Sequence, residues 1–138
     1  MDRRTQGALG LWCAVVILFG AALAGAAFAA TDDFTAMAFA LLGHADLLFT
    51  PELRFAVALM GAVTFGWGVT IAAVASVGNR LSTPVAGIVW RRMTASVLVW
   101  FVIDSTLSIA TGFALNAVSN AVLLAMFVVI VWRGRLLG

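Results

Sequence analysis

Between Arg92 and Arg133 the chain reads MTASVLVWFVIDSTLSIATGFALNAVSNAVLLAMFVVIVW, forty residues in which Asp104 is the one charged side chain. A single helix of that length would extend about 60 Å, roughly twice the hydrocarbon core of a bilayer. The segment must therefore fold back on itself. Gly112 and Asn116 lie near its centre, and Gly and Asn are residues that end helices. The sequence predicts a hairpin of two membrane-spanning helices, roughly residues 93–112 and 115–132.

The rest of the chain has the same membrane character. Its 138 residues are 64% hydrophobic and 10% charged, whereas soluble domains are nearer half apolar and a quarter charged. Uncharged apolar stretches at roughly 9–30 and 55–77 predict two further spans. We therefore predict an all-α fold in which residues 1–138 form one transmembrane domain, a four-helix bundle.

The interval between the first two spans is apolar but short. Residues 36–49 cannot cross a bilayer, which predicts an interfacial or re-entrant helix on one membrane face. A different interpretation of the first span starts from Ala27-Phe28-Ala29, which resembles the cleavage site of a signal peptide. We expect a retained span, because cleavage would leave three spans and move the N-terminus to the opposite side.

Small residues recur on the first two spans, at Gly20, Ala24 and Gly25 and then at Gly61, Gly66 and Gly68. Glycine and alanine let the backbones of neighbouring membrane helices approach closely. No strand precedes the second group, so a phosphate-binding loop is not indicated. Both groups predict close helix packing.

The arginines set the orientation. Seven of the eight fall on one side of the predicted bundle: Arg3, Arg4, Arg80, Arg91, Arg92, Arg133 and Arg135. The other side carries Asp32, Asp33, Asp46 and Glu52 with only Arg54. The positive-inside rule makes the arginine side cytoplasmic, with both termini inside, and we expect a bacterial inner-membrane location. Trp12, Trp90 and Trp132 fall at the same end, where tryptophans anchor spans in the interface.

Composition excludes several kinds of site. Cys13 has no partner cysteine and is expected to be a small buried hydrophobe. A single histidine, His44, cannot supply paired haem ligands, and with Asp46 it makes at most two metal ligands. The absence of Lys removes Schiff-base chemistry, and dispersed arginines form no nucleic-acid groove. We expect no cofactor, no metal and no nucleic acid.

Asp104 is the candidate functional residue, because an ionised carboxylate inside a span costs at least about 2.5 kcal/mol. It should face the bundle interior or a wet cavity and have a partner. Helical spacing places it on one polar stripe of the third span, with Ser96, Trp100, Ser108 and Thr111. On the fourth span Asn116 and Asn120 lie one turn apart.

A corner near residue 114 would bring Ser108 to the depth of Asn120 and leave Asp104 in need of another partner. Arg54 has a long stem that could reach it, and Thr64 or Trp67 could donate a hydrogen bond. Trp67 and Trp100 could also line a pocket for an apolar ligand, although ordinary packing is the commoner role. Two interpretations of Asp104 stay open: a proton- or cation-linked site, or hydrogen bonding that joins helices.

The segment Trp100-Phe101-Val102-Ile103-Asp104-Ser105, with Ser108, Gly112, Asn116, Asn120 and Phe65-Gly66-Trp67-Gly68-Val69-Thr70, resembles a group of small four-helix bacterial inner-membrane proteins of uncharacterised function. The resemblance covers the second to fourth spans and implies no activity. The chain is also similar in size and span count to the small multidrug-resistance transporters. Those place an essential acid in the first helix, which has none here, so this similarity stops at architecture.

Three functions remain in order. The first is a non-enzymatic accessory or scaffold subunit that associates with another membrane protein, or with copies of itself, through small-residue helix faces. The second is a small proton- or cation-coupled transporter or channel-like homo-oligomer that uses Asp104. The third is a membrane enzyme acting on a lipid or apolar substrate, built from Asp104, His44 and Arg54.

Overall fold

The computed structural model describes residues 1–78 and 80–137, and Asn79 and Gly138 lie outside the described part. Within it the chain is all-helical, without a strand. Five α-helices follow in order: α1 (Arg3–Ala24), α2 (Asp33–Leu41), α3 (Pro51–Gly78), α4 (Thr83–Ala110) and α5 (Ala114–Arg133). Two short 3₁₀ turns, Gly25–Ala27 and Ala29–Thr31, connect α1 to α2.

Four of these helices, α1, α3, α4 and α5, are long and apolar enough to cross a membrane. In each, only 17 to 33% of the most apolar window is buried against the rest of the protein. Soluble proteins rarely leave so much contiguous apolar surface in water. Length, hydropathy and exposure are therefore those of a multi-pass membrane protein.

The helix limits differ from the predicted ones mainly at the N-terminal ends. α1 begins at Arg3 rather than near residue 9, because the Asp2 carboxylate accepts a 2.7 Å hydrogen bond from the backbone N–H of Thr5. That bond also lowers the pKa of Asp2. α3 begins at Pro51, where the Thr50 hydroxyl accepts from the backbone N–H of Leu53.

The predicted helix at 36–49 is shorter and earlier in the structure. α2 ends at Leu41, and Gly43 follows in the left-handed conformation with φ of +90°. The His44 N–H then bonds back to the Phe39 carbonyl, which closes the helix end. The following residues to Thr50 are turns and extended chain. Placement of α2 in a membrane interface stays a prediction.

The chain divides into two compact units. The terminal unit consists of residues 1–13 and 71–138, and the central unit of residues 14–70. The core of the terminal unit contains large side chains of α1, α4 and α5: Trp12, Trp90, Val97, Phe127 and Val131. The central unit has a smaller core of Leu23, Ala26 and Val57, against which Phe39, Phe49 and Leu53 pack.

Two of the three predicted interface tryptophans are core residues instead. Trp12 and Trp90 are 0% and 2% exposed, and the Trp12 indole N–H donates to the Leu123 carbonyl at 3.0 Å. The Trp12 ring lies 5.2 Å from that of Phe127. Packing against other helices satisfies these rings without the interface. Only Trp132, which is 74% exposed, is placed as an anchor would be.

The predicted close packing of small residues is confirmed in the central unit, where α1 crosses α3. A Cβ added to Gly20 would overlap the backbone of Phe65, and one added to Gly61 would lie 2.7 Å from the Gly20 carbonyl oxygen. Gly68 lies against Ile17 in the same way. Backbone therefore meets backbone at this crossing, which glycine alone permits.

Candidate functional site

The site is built on the hairpin of α4 and α5. After α4 ends, Gly112 adopts φ of +88°, and the N–H groups of Gly112 and Phe113 bond back to the carbonyls of Ile109 and Ser108. This is the Schellman arrangement, which needs a left-handed residue and favours glycine. The predicted turn at Gly112 is confirmed. It returns the chain antiparallel to α4 and places the polar face of α5 against Asp104.

Asp104 is held by both asparagines of α5. Its Oδ2 accepts a hydrogen bond from the Asn116 side-chain amide at 3.2 Å and a second from the Asn120 amide. Asp104 and Asn116 are half-buried, and Asn120 is 4% exposed. The carboxylate therefore has two amide donors in an otherwise apolar hairpin, and no cation is involved in these contacts.

Serine hydroxyls complete the cluster. The Asn116 amide also donates to Ser108 Oγ at 2.9 Å, and Ser108 Oγ donates to the backbone carbonyl of Asp104 at 2.7 Å. The Asn120 amide lies 3.4 Å from Ser105 Oγ. Both serines are 8% exposed. We call the five side chains Asp104, Ser105, Ser108, Asn116 and Asn120 the hairpin cluster.

The pairing within the cluster differs from the predicted one. A corner near residue 114 pairs Ser108 with Asn120, but the turn is centred on Gly112. Asp104 and Asn120 are each eight residues from Gly112, and Ser108 and Asn116 are each four. Equal distance from the turn gives equal depth in an antiparallel hairpin, so these are the pairs that form. A two-residue error in the turn changed every partner.

Only part of the predicted polar stripe on α4 belongs to the cluster. Ser96 and Thr111 are exposed, and the Thr111 hydroxyl donates to the carbonyl of Leu107 in its own helix. Trp100 is half-buried. Ser105 joins the cluster although it was not among the predicted candidates. Its signal is its adjacency to Asp104, which puts it on the side of α4 that meets α5.

Arg54 does not serve Asp104. It forms a 2.6 Å salt bridge with Asp32 in the central unit, and its Nη1 donates to the Ala26 carbonyl at 3.1 Å. The guanidinium also lies 5.2 Å from the centre of the Phe49 ring. The charge is neutralised locally because Asp32 ends the 3₁₀ turns beside the start of α3. Arg54 thus ties the connection after α1 to α3.

Other predicted donors are also engaged elsewhere. The Thr64 hydroxyl donates to the carbonyl of Met60, one turn earlier in α3. Trp67 on α3 is half-buried, like Trp100 on α4. His44 and Asp46 line a shallow surface concavity of about 260 Å³ in the loop after α2. Among the described residues, no three His, Cys, Asp or Glu side chains come together as metal ligands would.

The hairpin cluster is chemically a hydrogen-bonded joint with a second capability. In the observed arrangement each asparagine donates an N–H to an oxygen. An amide rotated by half a turn presents a carbonyl oxygen instead. The cluster then offers five oxygen-bearing side chains around one carboxylate, a donor set suited to a proton or a small hard cation.

No protein-family model, curated protein or solved structure matches this chain. Its resemblance to small four-helix inner-membrane proteins stays a prediction.

Proposed function

We propose that this protein is a multi-pass inner-membrane protein, a four-helix bundle that acts as a non-enzymatic accessory or scaffold subunit and binds a further transmembrane helix along α3. The support comes from the two opposite faces of that helix. One face is closed by α1, through Gly61 and Gly68. The other is open and also consists of small residues.

The open face contains Ala62, Gly66 and Thr70, spaced four residues apart and all exposed. A Cβ added to Gly66 would meet nothing within 4 Å, in contrast to Gly61. The Thr70 hydroxyl donates to the Gly66 carbonyl at 2.8 Å, so it needs no outside partner. Small residues at four-residue spacing form the shallow groove into which a second membrane helix packs. The single observation that carries the proposal is this open Gly66 groove.

A non-enzymatic role is favoured by where the candidate reactive groups are engaged. Asp104 accepts two amide hydrogen bonds, and Arg54 is bound by Asp32. An enzyme built from Asp104, His44 and Arg54 would need these groups directed at a substrate. Their existing partners favour structural roles, so the enzyme hypothesis has no support from the contacts.

The test is Gly66→Leu, with Gly10→Leu as the matched control. Gly10 also lies in an apolar helix, is exposed, and has nothing within 4 Å of an added Cβ. Each protein is extracted in mild detergent, and its assembly mass and subunit ratio are measured by native mass spectrometry. We expect a defined assembly for the natural chain and Gly10→Leu, and its loss in Gly66→Leu. A lone monomer in all three, or an assembly unchanged by Gly66→Leu, would overturn the proposal.

The hairpin cluster favours a second candidate, a small proton- or cation-coupled transporter or channel-like homo-oligomer. The observation behind it is the carboxylate of Asp104 among four side chains that each offer an oxygen. Asp104→Asn keeps the size and removes the charge. In sealed vesicles containing a pH-sensitive dye, this variant should abolish pH-linked ion movement. Transport that is unaffected by Asp104→Asn would remove the cluster from any such mechanism.

A further inference from the structure

The end of α5 and the chain that follows it form a concavity of about 560 Å³ at the surface of the terminal unit. It is lined by Val131, Trp132, Arg133, Arg135 and Leu137. Two guanidinium groups, an exposed indole and apolar side chains thus share one depression. Arg133 and Arg135 are both exposed, and neither forms a salt bridge with a described carboxylate.

The concavity has a defined shape because the segment after α5 is bonded into place. The N–H of Leu136 bonds to the Val131 carbonyl at 3.1 Å, and that of Arg135 to the Trp132 carbonyl at 3.1 Å. Further along, the Leu137 carbonyl accepts a 2.7 Å hydrogen bond from Arg91 Nη1 of α4. Gly134 packs against Thr5 of α1. The segment is therefore attached to two other helices of its unit.

Arg135 occupies a position that glycine normally fills. It closes the Schellman turn at the end of α5 with φ of +49°, a left-handed conformation that L side chains rarely adopt. Gly112 and Gly43 occupy the corresponding positions after α4 and α2. An arginine here pays a conformational cost that the turn itself does not require. Strained residues of this kind concentrate where a side chain is needed for binding.

The electrostatics suit an anion. The C-terminal end of a helix ordinarily repels negative charge through its unsatisfied carbonyls. Here the carbonyls of Ile130, Val131 and Trp132 all accept backbone hydrogen bonds, which reduces that repulsion. Arg133 and Arg135 supply two positive charges, and arginine binds phosphate through two parallel N–H groups. Trp132, 74% exposed, is of the residue type that sits at headgroup level.

We propose that this concavity binds the phosphate headgroup of an anionic phospholipid, with Arg133 and Arg135 on the phosphate and Trp132 beside the glycerol and upper acyl region. Free phosphate would satisfy the arginines alone. The adjoining Val131 and Leu137 and the apolar length of α5 provide contact for acyl chains, which a soluble anion lacks. The site is independent of the Gly66 groove and of the hairpin cluster.

The experiment measures thermal unfolding of the full chain, delipidated in a neutral detergent. Mixed micelles containing phosphatidylglycerol should raise Tm by on the order of 5 °C at lipid well above its dissociation constant. Mixed micelles with phosphatidylcholine, or added inorganic phosphate, should raise it by less than half as much. An equal rise with phosphatidylcholine would overturn the anionic specificity. An equal rise with inorganic phosphate would overturn the lipid as ligand.

Variants separate a site from a diffuse positive field. The double variant R133Q/R135Q should lose most of the phosphatidylglycerol shift. The control R80Q/R92Q removes the same charge from exposed arginines that do not line the concavity, and it should keep most of the shift. Equal losses in the two double variants would show a general surface potential and overturn the proposal, as would a full shift in R133Q/R135Q.

Arg135→Gly tests the role of the strained arginine without disturbing the turn. Glycine adopts the left-handed conformation freely, so the lipid-free Tm should be equal to or above that of the natural chain. The phosphatidylglycerol shift should nevertheless fall by half or more. A lower lipid-free Tm with an unchanged lipid shift would show that Arg135 serves only the fold.

Discussion

The two units join neighbouring helices by opposite means. In the central unit α1 and α3 meet through Gly20 and Gly61, where backbone touches backbone and no side chain takes part. In the terminal unit α4 and α5 meet through the hairpin cluster, where Asp104 receives two amides from the facing helix. The glycine contact depends on shape, and the polar contact depends on donors and acceptors being in register. The two should therefore fail differently when altered.

Gly61→Leu should have the largest effect. Its added Cβ would meet the backbone of α1, which cannot rotate aside as a side chain can. Overpacking typically costs about 1–3 kcal/mol, and backbone contact places this case at or above the upper end. Chemical unfolding in detergent measures the loss. Gly66→Leu on the open face of the same helix is the control, and an equally small loss for both variants would contradict the close crossing.

Asp104→Ala should come next, with a loss of about 1–2 kcal/mol, because it leaves the amides of Asn116 and Asn120 without their acceptor. Asp104→Asn should cost less, since it retains an acceptor oxygen. A double-mutant cycle with Asn120→Ala in the same unfolding assay should give a coupling energy of about 0.5–1.7 kcal/mol. Strict additivity of the two substitutions would show that the hydrogen bond contributes nothing to joining the helices.

Gly112→Ala should cost about 1 kcal/mol, because alanine is strained at φ of +88°. Gly43→Ala is the matched comparison: its φ is +90°, and neither position has atoms within 4 Å of an added Cβ. Hydrogen exchange should show loosening across α4 and α5 in Gly112→Ala, but only around the end of α2 in Gly43→Ala. Identical local patterns would mean that the hairpin does not depend on its turn.

Arg54→Lys should have the smallest effect, a loss of about 0.5 kcal/mol. Lysine keeps the charge beside Asp32 but lacks the planar fork that also reaches the Ala26 carbonyl. The expected sign is faster hydrogen exchange across the 3₁₀ turns and α2, with α4 and α5 unchanged. Arg80→Lys, at an exposed position, serves as the control. Unaltered exchange in Arg54→Lys would reduce Arg54 to a simple counter-ion.

The candidate site was predictable in composition but not in geometry. Asp104, Ser108, Asn116 and Asn120 were all identifiable from polarity inside an apolar stretch, and all four lie in the hairpin cluster. Their partners depended on the turn, where an error of two residues shifts the facing helix by about one helical turn in register. Arg54 was assigned to the wrong acid because sequence distance did not reveal the nearer Asp32.

Sequence by itself determined the helical class, the four spans and the hairpin, because hydropathy and length against a bilayer leave few alternatives. Tertiary structure alone decided which small residues are occupied. Gly61, Gly66 and Gly68 look alike in the sequence, yet two face α1 and one is open. It also moved Trp12 and Trp90 from the expected interface into a core. Such choices depend on the direction in which each helix face points, and that direction is set only when helices pack together.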